Sequence, residues 1–251
     1  MRRLWPPVAL LAAAIGVWEL VVRAEGVPEY LFPSPSAVAS SLGGNAGLLS
    51  DAALVTVREI VLGYLLAITV GVAVAIVLHF SSALRGALLP ILVLSQTMPV
   101  VLLAPILAIL FGYGIESKLV VVAIVCFFPI VVNAMDGLGS SDPELVRMMR
   151  TLHGGRLAIF RRVEFPGALP AIFSGARVAA TYAAVGAVFG EWAGSSSGLG
   201  FVILQAQPAL DTARIFAAIV VLSGLALALY ALVALAERLL TPWQWETRDG
   251  A

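Results

Sequence analysis

The chain has 251 residues, 61% of them hydrophobic and 12% charged, and its 15 basic and 15 acidic residues cancel at pH 7. Soluble domains carry about 25% charged residues, so this composition, with a mean hydropathy of +1.01, excludes an ordinary soluble fold and indicates an integral membrane protein built as one bundle over residues 1–251. Zero net charge gives no reason to expect a nucleic-acid partner, and a single cysteine, Cys126, excludes an intrachain disulfide.

A bilayer core about 30 Å thick is crossed by about 20 apolar residues in a helix. Runs of that kind occupy residues 5–22, 54–78, 88–111, 119–138, 168–190 and 215–239. The fold class expected is therefore an all-α polytopic bundle of about six transmembrane helices. Pro99, Pro105 and Pro129 fall inside these runs, where neighbouring helices can satisfy the backbone groups they free. The first run follows Arg2 and Arg3 and competes with a secretory signal peptide. It continues through Trp18 to Val22, beyond a usual signal core, so a retained helix is expected.

After this run, residues 23–51 are rich in Pro, Ser and Gly and slightly acidic, with Glu25, Glu29 and Asp51. Ser34 before Pro35 reads as an N-cap and first helical residue of a short interfacial helix through Ala37, Val38 and Leu42. The third run contains the polar trio Ser95, Gln96 and Thr97, followed by Met98 and Pro99. Polar groups at that depth should face protein or a cavity, so these residues rank first as candidates for a translocation path.

Between the fourth and fifth runs, about residues 139–168, the chain turns polar and basic. Asp142, Pro143 and Glu144 form an N-cap, an N1 proline and an acid at the positive helix end. Leu145, Met148, Met149 and Leu152 then fall at helical spacing on one face, while Arg147 and Arg150 point elsewhere. Gly154 and Gly155 are expected to supply the left-handed stop. A second short helix with Leu157, Phe160 and Arg161 should run to Pro166, with Pro170 opening the next span. This makes a helix-turn-helix knob whose apolar stripe has no bilayer to enter and whose Met pair suits a partner surface. A solvated loop would account for the arginines alone.

Further on, Gly186, Gly190, Gly194 and Gly198 recur every four residues and are read as a close-packing ridge. Glu191, at the end of the fifth run, reads equally as an interfacial anchor or as a gate or substrate-facing acid, and it joins the trio, with Trp192 beside it, among the translocation-path candidates; Glu19 and Asp136 read as snorkelling or paired groups. Gly194 to Gly198 fits the spacing of a serine-nucleophile elbow, but no histidine follows His153, so a turn is expected. One cysteine and two distant histidines make no zinc site.

Orientation follows from the basic residues. With the amino terminus inside, Arg2, Arg3, Arg85, Arg147, Arg150, Arg156, Arg161, Arg162, Arg177, Arg238 and Arg248 lie on the inner side, 11 of the 15, against Arg23, Arg58, Lys118 and Arg214 outside. Both termini and the knob are expected to be cytoplasmic.

The segment from Arg147 to Ala180 resembles the signature loop of the permeases of ATP-binding-cassette importers, the binding-protein-dependent inner-membrane component family. Arg147, Met148 and Met149 stand in the family's Glu-Ala-Ala places and His153 in its Gly place, with Phe165 and Pro166 closing the pattern. Residues 32–38 and Gly198 to Gly200 extend the likeness over nearly the whole chain.

That resemblance implies a coupling segment comprising Arg147, Met148, Met149, Arg150, His153, Gly154, Gly155, Arg156, Phe160, Arg161 and Pro166. Met148, Met149, His153, Gly154, Gly155, Arg156 and Phe160 would be the contact set in a groove of a separate ATPase subunit, present in two copies. It further implies a second permease subunit, most simply another copy of this chain, an extracytoplasmic solute-binding protein, alternating access, and residence in the bacterial inner membrane among lipid. A phosphate-binding loop needs Gly-x-x-x-x-Gly-Lys-Ser/Thr, and the one lysine, Lys118, is preceded by Ser117, so no such site exists in this chain. It is not expected to be an enzyme or to hold a cofactor; ATP and Mg would bind the partner. Residues 93–114, 126–138 and 190–207 look most like the group that imports thiamine-precursor pyrimidines, with nitrate, sulfonate and taurine importers as the alternative. An ion-coupled transporter and a membrane scaffold are the readings from other classes.

Overall fold

The computed structural model describes residues 5–243, so Arg2, Arg3 and Arg248 of the orientation sum lie outside the described residues. The described chain is built from helices: α1 (Trp5–Ala24), α2 (Pro35–Gly44), α3 (Ala46–Phe80), α4 (Ser82–Ser95), α5 (Val100–Phe111), α6 (Ile115–Gly139), α7 (Pro143–Thr151), α8 (Arg156–Ile159), a π-helical turn (Phe160–Glu164), α9 (Phe165–Trp192), α10 (Leu199–Ala206) and α11 (Thr212–Leu240). Five are long and apolar enough to cross a membrane: α1, α3, α6, α11 and the continuous rod from Arg156 to Trp192.

The sixth expected span is broken. α4 and α5 together are apolar enough to cross, but their axes differ by 101°. The cause is local. Ser95 and Thr97 turn their hydroxyls back onto the carbonyls of Leu92 and Leu94 at 2.7 and 2.8 Å. The amides of Gln96, Thr97 and Met98 bond three residues back instead of four, tightening the last turn as helix ends do. Pro99, which has no N–H and disfavours helical backbone at Met98, then prevents the helix from resuming in line.

The fifth span corrects a second expectation. No separate helix ends at Pro166: α8, the π turn and α9 form one rod from Arg156 to Trp192. In the π turn the Phe165 N–H reaches the Phe160 carbonyl, five residues back, which widens the helix directly ahead of Pro166. The second span is also longer than its apolar run, since α3 has 35 residues, about 52 Å at roughly 1.5 Å per residue. It extends beyond a hydrocarbon core.

α6 is the centre of the bundle, packed between α3 and α9. Small residues allow that closeness. A Cβ on Gly63 or Gly71 of α3 would overlap Val122 or Ile130, and one on Gly175 of α9 would sit 2.6 Å from the Pro129 carbonyl. Gly186 and Gly190 press on Val122 and Lys118, as expected of a packing ridge. Alanines at 176, 179, 180, 183 and 187 complete the α9 face. Tyr64 donates to the Ala176 carbonyl (2.6 Å) and the buried Cys126 thiol to that of Ala179.

At the periphery, Ser34 caps α2 as expected, accepting from the Ala37 N–H. Glu19 accepts from the Ser36 amide and hydroxyl at 3.0 and 2.8 Å and pairs with Arg23. Its carboxylate thus joins α1 to α2. Trp18, Phe32 and Phe216 stack edge and face within 6 Å to tie this corner to α11.

Candidate functional site

The knob begins where Asp142 accepts a 2.7 Å hydrogen bond from the Glu144 N–H. On α7, Leu145, Met148 and the following Leu152 are 46%, 52% and 69% exposed, so these three residues of the apolar stripe lie largely uncovered by the described residues. The helix ends in a Schellman turn, with His153 N–H on the Arg150 carbonyl and Gly154 N–H on that of Met149. The residue in the left-handed conformation is His153, at φ +58°, which corrects the assignment to the two glycines. Gly154 is required for another reason: a Cβ there would lie 2.7 Å from the Met149 carbonyl. Gly155 has ordinary φ (−67°) and open space around it.

The base of the knob is clamped to the end of α3. Arg156 donates to the Phe80 carbonyl at 2.7 Å, and its guanidinium lies 4.9 Å from the Phe80 ring centroid. Phe160 is buried against Phe80 and Phe165, with centroids 5.0 and 5.7 Å apart, and His79 meets Glu164 at 2.9 Å. Of the expected contact set, Phe160 is thus placed in the core, 9% exposed. Its ring turns inward because position 160 of the rod faces α3. Arg147, Arg150, His153 and Arg161 remain exposed, and Met149 and Pro166 are half-buried.

Halfway along the bundle, the α4–α5 bend separates two cavities of about 430 Å³ each. Ser95, Gln96, Met98, Leu103 and Ile124 line both. The first is completed by Phe128, Pro129, Asn133, Val178 and Tyr182, the second by apolar residues such as Leu66, Val70 and Phe127. Thr97 lines neither. Trp192 lies elsewhere, in a cavity of about 370 Å³ with Phe189, Ile203, Gln207 and Ile219.

At the end of the bundle remote from the knob lies a buried polar cluster. Glu191 is fully buried and accepts from the Thr56 hydroxyl (2.6 Å) and from the N–H groups of Gly200 and Phe201. A carboxylate at the amino end of α10 satisfies amides that have no helical partner and meets the positive end of the helix dipole. The Thr56 hydroxyl accepts from the Leu199 N–H. Beside them Lys118 donates to Glu59 (2.8 Å) and to the Ser195 hydroxyl (2.7 Å). Gly198, at φ +107°, has the Glu191 carboxylate where a Cβ would stand. The Gly194–Gly198 segment is thus a turn, as expected.

The sequence of the chain has counterparts among known proteins. The model of the family "Binding-protein-dependent transport system inner membrane component" matches residues 60–243. A probable ABC transporter permease protein of Haemophilus influenzae is 39% identical over 91% of this chain and 93% of its own length. The formylaminopyrimidine transport permease protein ThiX of Halalkalibacterium halodurans is 34% identical over 91% of each chain. The riboflavin transport system permease protein RibX of Chloroflexus aurantiacus is 36% identical over 96% of this chain and 91% of its own. The chain belongs to this family. It is a multi-pass membrane protein, the permease subunit of an ATP-binding-cassette importer.

In this permease the expected site residues separate into three places. The knob residues lie together at one end, with Arg156 and Phe160 at its clamped base. Ser95, Gln96 and Met98 meet at the mid-bundle bend. Glu191 is enclosed at the opposite end and lines no cavity among those described, because its lone pairs face the start of α10. Sequence reasoning missed Thr56, Glu59, Asn133 and Tyr182. Their one signal was a polar side chain inside an apolar run.

Proposed function

We propose that this permease subunit forms the path by which a small solute, released by an extracytoplasmic binding protein, crosses the inner membrane, and that α7 is the element through which a separate ATPase drives it. The observation that carries this reading is the exposed apolar stripe of α7 on a knob rigidly joined to two spans. Three apolar side chains of that face, Leu145, Met148 and Leu152, are each over 40% exposed in a basic segment, a patch of the kind that marks an interaction site. The clamp of Arg156, His79 and Glu164 gives the knob a stiff connection to α3 and α9, so force applied to α7 moves those helices. The chain contributes no phosphate-binding loop, so ATP and Mg belong to the ATPase, two copies of which would act on two permease subunits, most simply two copies of this chain.

The basic residues favour a cytoplasmic knob and cytoplasmic termini. For the solute, the names of two relatives, a formylaminopyrimidine permease and a riboflavin permease, support a pyrimidine precursor of thiamine or a related vitamin precursor.

Gly155→Arg is the test. Nothing surrounds a Cβ at that position and its φ suits any residue, so the bundle should keep its melting temperature within about 2 °C, as for a surface change of under ~0.5 kcal/mol. Co-purification with the ATPase should be lost. Full retention of the ATPase with the bulky side chain in place contradicts this use of the knob.

A further inference from the structure

One of the two cavities at the α4–α5 bend is chemically distinct from its twin. It holds the side chains of Ser95, Gln96, Asn133 and Tyr182 beside the ring of Phe128, and none of its lining residues is charged at neutral pH. Asn133 has one N–H committed to the Pro129 carbonyl (2.8 Å) and Ser95 has its hydroxyl proton on Leu92. The Asn133 carbonyl, the Gln96 amide and the Tyr182 hydroxyl make no hydrogen bond within the chain among those described. Such groups facing hydrocarbon would be costly, so this half-open groove must face protein or water. Its volume of about 430 Å³ is of the size that holds small ligands.

A neighbouring cation, Arg177, does not change the chemistry. Arg177 lines an adjoining cavity of about 290 Å³ that shares Val178 and Tyr182, but its guanidinium is 3.0 Å from the Glu237 carboxylate. Its charge is already matched. An anion entering the groove would lose its hydration and find no free positive partner. A neutral heteroaromatic would exchange water for amide and phenol hydrogen bonds and lay its ring against Phe128 or Tyr182.

We propose that this groove is a solute-binding station within the membrane, accepting an uncharged, planar heterocycle of the aminopyrimidine kind and rejecting sulfonates. The proposal rests on the importer-permease reading and adds that the permease itself discriminates between solutes.

The test is equilibrium binding to the permease–ATPase complex in lipid nanodiscs, without binding protein, using radiolabelled aminopyrimidine and radiolabelled taurine. Aminopyrimidine should bind saturably and taurine should not. Asn133→Ala and Gln96→Ala should each weaken binding by up to about tenfold, the effect of one net hydrogen bond, and Gln207→Ala in the separate cavity should leave it unchanged. Co-purified ATPase reports folding of each variant; should either alanine variant fail it, Tyr182→Phe, which removes one hydroxyl from a half-exposed ring, takes its place. Absent aminopyrimidine binding, binding indifferent to these variants, or saturable binding of taurine overturns the proposal. In that event an intact ATPase complex leaves the permease reading standing, whereas wild-type permease that never retains the ATPase defeats that reading itself.

Discussion

Lys118, the one lysine of the chain, is buried with its ammonium between Glu59 and Ser195, at the junction of α3, α6 and the loop before α10. Removing one member of such a pair strands the other in a low-dielectric interior. Lys118→Met is therefore expected to destabilise the bundle by about 3–5 kcal/mol, read as a lowered thermal midpoint of the purified protein. The double variant Glu59→Leu, Lys118→Met should recover most of that loss, since apolar replacement of a whole buried pair is often neutral. Equal losses in single and double variants contradict a paired role. Residue roles were legible in the sequence only where the partner is near along the chain. Ser34 and Asp142 bond amides two or three positions away, and both caps were readable. Glu191 bonds Thr56, 135 residues away, and Lys118 bonds Glu59, 59 away; no local pattern announces such contacts. His153 was missed for a different reason. Two glycines beside it offered the cheaper left-handed residue, but the close approach of Gly154 to Met149 placed them one position late.

Hydropathy finds helices and is blind to direction, which explains what was and was not legible among the elements. The apolar runs located α1, α3, α6, α9 and α11, yet the run at 88–111 gave no sign that its axis turns by 101°. The information was present in Ser95, Thr97 and Pro99, whose hydroxyls and ring act together on the backbone. A straight helix from Leu88 to Leu110 would span about 33 Å. Spin labels at those two positions should report a distance well short of that in the wild type, by pulsed dipolar spectroscopy in nanodiscs. A mean distance at the straight-helix value contradicts the bend. Pro166 and Pro170 misled in the opposite sense. Read as boundaries, they lie inside one rod because the π turn before them accommodates the first.

On the scale of the molecule, α6 and the helices packed on it form a rigid centre, the polar cluster fastens one end, and the aromatic clamp of Phe80, Phe160 and Phe165 fastens the knob to the other. The mid-bundle groove lies between these fastened ends, where relative motion of α4 and α5 against α6 and α9 would open or close it. That arrangement suits alternating access around a fixed site. The proposed function requires the knob to lie on the cytoplasmic side and to be covered by a motor protein. The direct measurement is cysteine accessibility in a Cys126→Ala background, with the probe cysteine at Leu152, which is 69% exposed and, unlike His153, needs no left-handed backbone. A membrane-impermeant maleimide should fail to label intact cells, should label inside-out vesicles stripped of the ATPase, and should be blocked when the ATPase is restored. Labelling from outside intact cells, or labelling that the ATPase does not reduce, would contradict the account.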